Sequence, residues 1–71
     1  MGKLLIRVHH NRRIHTLEVR QNFMRWYIVL GKYSAYHFER TSEGWIQRQG
    51  GYIPDKLLFQ IIEQLEELHQ K

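Results

Sequence analysis

After Gly50-Gly51 the spacing of the apolar residues changes, and that change constrains the fold more than any other feature of the sequence. Upstream lie five short runs rich in β-branched and aromatic residues, LLIRV, IHTLEVR, WYIVL, AYHFER and WIQRQ, separated by turn-forming stretches. That is the pattern of successive strands. Downstream, Leu57, Leu58, Ile61, Ile62, Leu65 and Leu68 share one face of a 3.6-residue period. Pro54 suits the first helical position, where its missing N–H is no loss, and Asp55 suits the positive end of the helix dipole. The expected fold is α+β: a five-stranded antiparallel β-meander over about 4–9, 14–20, 26–30, 35–40 and 45–49, packed on one face by a single C-terminal α-helix over about 54–69.

A chain of 71 residues holds one domain, 1–71, because two cores would each be too small to fold unaided. Even one core is thin, leaving only about 3–5 kcal/mol for the fold, so an elaborate catalytic cavity is not expected. The absence of cysteine excludes disulfides and thiolate zinc sites. In MGKLLIR, Arg7 breaks the apolar run short of the roughly 7–15 residues of a secretory core. Ile6 stands where a myristoylation signal needs Ser or Thr, and no apolar run approaches a membrane span. The expectation is a soluble, cytoplasmic protein.

Strand registers can be read from the apolar pattern. Pairing Leu4 with Val19, Ile6 with Leu17 and Val8 with His15 gathers one face, whereas a one-residue slip sets Ile6 opposite Thr16. An even loop follows. A two-residue Asn11-Arg12 turn would need positive φ at both residues, which Arg resists, so a four-residue loop from His10 to Arg13 is expected. The same reasoning applied to QNFM pairs Val19 with Trp26 and Leu17 with Ile28, sending Trp26, Ile28 and Leu30 to the helix side. SEG reads as a three-residue loop with Gly44 left-handed, which puts Ile46 on the side of Phe38 and Trp45 on the opposite side, whereas a four-residue loop would reverse the two. The face without a helix then carries Leu5, Arg7, His9, Ile14, Thr16, Tyr27, Val29 and Trp45.

The C-terminal half, YHFERTSEGWIQRQGGYIPDKLLFQIIEQL, resembles small uncharacterised bacterial proteins in which an aromatic strand pair, a turn, a Trp-bearing strand and IP lead into a closing helix. The resemblance covers about half of the chain. It implies a strand-rich sheet with one helix, with no established activity, and transfers no functional residue.

The chemistry-bearing residues do not assemble into a catalytic or metal motif. In VHHNRRIH, the register sends His9 and His15 to opposite faces and leaves His10 in the loop, so no same-face ligand pair is expected. Thr16, Ser34, Thr41 and Ser42 lack a nucleophile context, Glu63, Glu66 and Glu67 share a helix as its wet side, and Gly50-Gly51 lacks the rest of a phosphate loop. No enzyme, cofactor, metal or small-molecule substrate is expected.

Charge is uneven along the chain. Through Arg40 there are eight basic and two acidic residues, and from Thr41 onward three basic and five acidic. Arg7, His10, Arg12, Arg13, Arg20 and Arg25 are candidate contacts for an anionic partner, although no RNP, KH or helix-turn-helix signature accompanies them. Leu5, Ile14, Tyr27, Val29 and Trp45 form the candidate interaction face, and Phe59 falls off the helical stripe. The leading expectation is a non-enzymatic protein–protein interaction module, binding a protein partner or a second copy as a homo-oligomer. The alternative is nucleic-acid binding by the basic first hairpin; no membrane partner is expected.

Overall fold

The order of elements is β1 (Leu4–His10), β2 (Arg13–Asn22), β3 (Trp26–Leu30), β4 (Ala35–Thr41), β5 (Gly44–Gln49) and α1 (Asp55–Gln70). They are seen in a computed structural model that describes residues 4–22, 25–31 and 33–70. Phe23 and Met24 of the QNFM loop, and the first three residues of MGKLLIR, lie outside the described residues. The five strands form one antiparallel sheet in sequence order, so the α+β meander with a C-terminal helix is the observed fold.

The β1–β2 register is the expected one, with Leu4 opposite Val19, Ile6 opposite Leu17 and Val8 opposite His15. The turn differs. His10 pairs with Arg13, and Asn11 and Arg12 take φ of 52° and 64°, so two residues replace the expected four. A turn left-handed at both positions matches the right-handed twist of its strands. Asn tolerates that region, and Arg12 bears the steric cost.

The second register corrects the sequence reading. Val19 faces Val29 and Asn22 faces Trp26, leaving a three-residue connection in place of an even one. The pairing is displaced by three residues, and any odd displacement exchanges the faces of a strand. Tyr27 and Val29 therefore turn under the helix and are 1% and 0% exposed, while Trp26, Ile28 and Leu30 turn to the other side. Within WYIVL every residue is apolar, so alternation alone could not choose between these faces.

The β4–β5 hairpin is corrected in the same way. Thr41 pairs with Gly44 across Ser42 and Glu43, Arg40 faces Trp45, and Glu39 faces Ile46. Trp45 is thus on the helix side and Ile46 on the open side. Gly44 does adopt positive φ, 125°. The Thr41 hydroxyl secures the turn by donating to Gly44 O at 2.8 Å and accepting from Glu43 N–H at 3.2 Å. Between Phe38↔Gln47 and His37↔Gln49 the ladder shifts by one residue on β5, a bulge that leads the chain toward Gly50.

Helix α1 begins one residue later than Pro54, whose carbonyl accepts from Leu57 and Leu58 N–H at 3.0 and 2.8 Å. Pro54 is therefore the capping residue, not the first helical one. Ile61 and Leu65 meet Ile6, Val8, Val19, Tyr27, Val29 and Phe38, and Ile53 closes the end of this core. At the sheet edge, His9 N–H donates to Gln60 Oε1 and Gln60 Nε2 donates to His9 O, both at 2.7 Å. The amide takes the place of a sixth strand at that point.

Arg12→Gly should remove the steric cost of the left-handed turn residue. The expected gain is about 0.5–1 kcal/mol, or a few degrees of Tm in thermal denaturation. An unchanged or lower Tm would contradict the two-residue turn.

Candidate functional site

Because side chains alternate along strands, the sheet has one face under α1 and one without cover. The open face is built on the central strand, where Trp26, Ile28 and Leu30 form a half-buried apolar spine. Leu5, 53% exposed, and Ile46, 41% exposed, stand on the two edge strands, across Glu18 and Glu39 from it. On either side stand ion pairs, Arg20 Nε to Glu18 Oε2 at 3.3 Å and Arg48 Nη2 to Glu39 Oε1 at 2.7 Å. The Trp26 indole N–H reaches toward His37 Nδ1 at a long 3.5 Å. The face thus joins apolar area to charges of both signs.

Of the residues expected on an interaction face, Leu5 and Ile14 are exposed on the open side. Tyr27, Val29 and Trp45 are not there; they belong to the core or pack against it. Trp26, Ile28, Leu30 and Ile46 take their places, by the register shifts described above.

The six candidate anion contacts do not form one patch. His10, Arg12 and Arg13 come together at the first hairpin tip. Arg7 and Arg20 lie on the open face, Arg20 already paired with Glu18. Arg25 sits beyond the other end of β2, roughly 30 Å from the tip along a ten-residue strand. The short turn also changes the histidines: His10 and His15 share the helix side, with ring centroids 6.4 Å apart. Among the described residues no group of three or more His, Cys, Asp or Glu could hold a metal ion.

Behind the hairpin tip, on the helix side, is a cleft of ≈ 220 Å³ between the β1–β2 hairpin, Tyr36 and the chain entering α1. Val8, Leu17, Ile53, Leu57 and Ile61 give it apolar walls, and His10, His15, Tyr36 and Tyr52 also line it. No local pattern marks this site, because its walls come from segments as far apart in the chain as Val8 and Ile61. Only the turn chemistry of GGYIP marks one of them.

At the other end of the helix side is a polar cluster. Glu66 Oε1 accepts from the Trp45 indole N–H at 2.8 Å and from Arg40 Nε at 2.9 Å, and Oε2 accepts from Gln70 Nε2 at 2.8 Å. Nearby, the Tyr27 hydroxyl accepts from Gln21 Nε2 at 3.2 Å and meets His69 Nδ1 at 3.0 Å. Burial, and after it the Glu66 charge, push the Tyr27 phenol up from 10.0. The phenol therefore stays protonated at neutral pH. Trp45 and His69 rings stack edge-on against Tyr27. Every partner here is satisfied by another, which makes the cluster a fastening of α1 to the sheet.

No protein-family model, curated protein or solved structure matches this chain significantly. Function is therefore argued from these surfaces alone.

The hydrogen bonds from Trp45 and then Gln70, together with the Arg40 guanidinium, hold the Glu66 carboxyl below its ordinary value of 4.5, against a smaller effect of burial. A depressed carboxylate contributes stability in full above that value and loses it as pH falls through the lower folded value. Wild type should therefore have a higher Tm than Glu66→Gln at about pH 7, and the advantage should shrink as pH falls below 4.5. A pH-independent difference would contradict the charged cluster.

Proposed function

We propose that this chain is a small non-enzymatic protein-interaction module that self-associates through the open face of its sheet. The observation that carries this reading is the apolar spine of Trp26, Ile28 and Leu30 on the central strand, left without a covering layer, with Leu5 and Ile46 exposed on the edge strands beyond Glu18 and Glu39. Uncovered apolar side chains set among polar groups are characteristic of interaction surfaces. A second copy suits it in charge, since Glu18 and Glu39 of one face can oppose Arg7, Arg20 and Arg48 of the other. The molecule measures 32 × 28 × 21 Å. Its broad side is comparable with the roughly 800 Å² per partner of a standard interface.

The gathering of His10, Arg12 and Arg13 at the hairpin tip favours a second reading, contact with nucleic-acid phosphates. It draws on only three of the six candidate groups. No helix among the described residues is long and apolar enough to cross a membrane.

Sedimentation should show a dimer that forms as the protein concentration rises toward about 1 mM. Leu5→Glu combined with Ile46→Glu, two exposed sites, should give a monomer with Tm nearly unchanged. A monomeric wild type, or a dimeric variant, would overturn self-association. Salt-sensitive binding of mixed-sequence nucleic acid that disappears in Arg12→Glu/Arg13→Glu would support the second reading instead.

A further inference from the structure

We propose that the cleft behind the first hairpin tip is a binding site for a small aromatic carboxylate. This site is on the helix side of the sheet and is independent of the open-face reading.

The wall that decides the shape is Tyr36. A Cβ on Gly50 would lie 2.7 Å from Tyr36 Cδ1, and one on Gly31 would lie 3.3 Å from Tyr36 Cε2. The ring is therefore set between two close backbone segments, of which the one at Gly50 leaves no room for a Cβ and the one at Gly31 leaves little. Gly50 also needs its identity for the backbone, with φ of 115°. A fixed aromatic plane beside the aliphatic wall of Leu57 and Ile61 favours a flat apolar body, which can stack on the ring at little ordering cost. The volume of ≈ 220 Å³ equals that of about seven waters in the liquid. That is room for a single ring with a short substituent.

The polar groups at the cleft specify the substituent. His10, His15, Tyr36 and Tyr52 all can donate hydrogen bonds, and none of their side chains bonds to another described residue. No carboxylate lines the cleft. Arg12 and Arg13 stand at the adjoining hairpin tip, while Asp55 and Lys56, next to Pro54, oppose each other in charge. An anion attached to the aromatic body thus meets donors and a positive field, whereas a cation meets that field as repulsion with no lining carboxylate to offset it.

The test is a titration of the full chain followed by ¹H–¹⁵N NMR, with benzoate, its neutral counterpart benzyl alcohol, and acetate as the anion without a ring. Benzoate should bind with a dissociation constant on the order of 1 mM. Its shifts should concentrate on the amides of His10, His15, Gly31, Tyr52 and Leu57. Benzyl alcohol and acetate should each bind about tenfold more weakly. The rim variant His10→Ala/His15→Ala, which removes both donors, should keep its fold and lose about fivefold of benzoate affinity, with benzyl alcohol less affected. Leu5→Glu/Ile46→Glu should bind benzoate like wild type, which separates this site from the open face. Absence of localised shifts up to about 20 mM benzoate would overturn the proposal. So would benzyl alcohol or acetate binding as tightly as benzoate, or a rim variant that binds benzoate unchanged.

Discussion

A single amphipathic helix has to provide all the cover this sheet receives. Its 16 residues make a rod of about 24 Å with one apolar stripe, enough for one face of a five-stranded sheet and not for two. Every strand is therefore asked which of its two sets of side chains will turn toward Ile61 and Leu65. The answer separates a thin core from an open surface, and it creates the cleft where the stripe ends short of the hairpin tip.

The helix is held to that face at two places by polar contacts. Near its start, Gln60 matches both backbone groups of His9 on the edge strand. Near its end, Glu66 collects the Trp45 and Arg40 donors of the last two strands, while His69 meets the Tyr27 hydroxyl of the central one. Apolar burial drives the docking, since it is nondirectional and proportional to area. The polar contacts fix the direction in which the helix crosses, because a displaced helix would leave these groups unpaired. Among the described residues no buried side-chain nitrogen or oxygen lacks a partner.

The fold class, the order of elements and the β1–β2 register were legible because the signals there were unambiguous. Pro54 and the Leu57 to Leu68 stripe mark a helix, and Ile6 and Val8 alternate with Arg7 and His9. WYIVL was not legible, since five apolar residues in a row fit either face. What decides it is tertiary: Tyr27 finds His69 and Gln21 for its hydroxyl only on the helix side. Trp45 is similar, its indole N–H answered by Glu66 twenty-one residues away. At the hairpin tip, the rule that Arg avoids positive φ lost to the twist of the strands it joins. The candidate sites inherit these limits. The tip cations and Leu5 were visible in the sequence, whereas the Trp26–Ile28–Leu30 spine and the Tyr36 wall depend on pairings that no local pattern encodes.

The assignment of faces on β3 is the claim on which both proposed surfaces rest, and neighbouring substitutions on that strand test it directly. Urea denaturation at low protein concentration compares Val29→Asp with Ile28→Asp. A carboxylate in place of Val29, 0% exposed beneath the helix, should cost about 4 kcal/mol or more and leave the chain largely unfolded. The same group in place of Ile28 reaches solvent on the open face and should cost no more than about 1 kcal/mol. The reverse order of stability would contradict the account, because it would place the spine in the core and the buried pair outside.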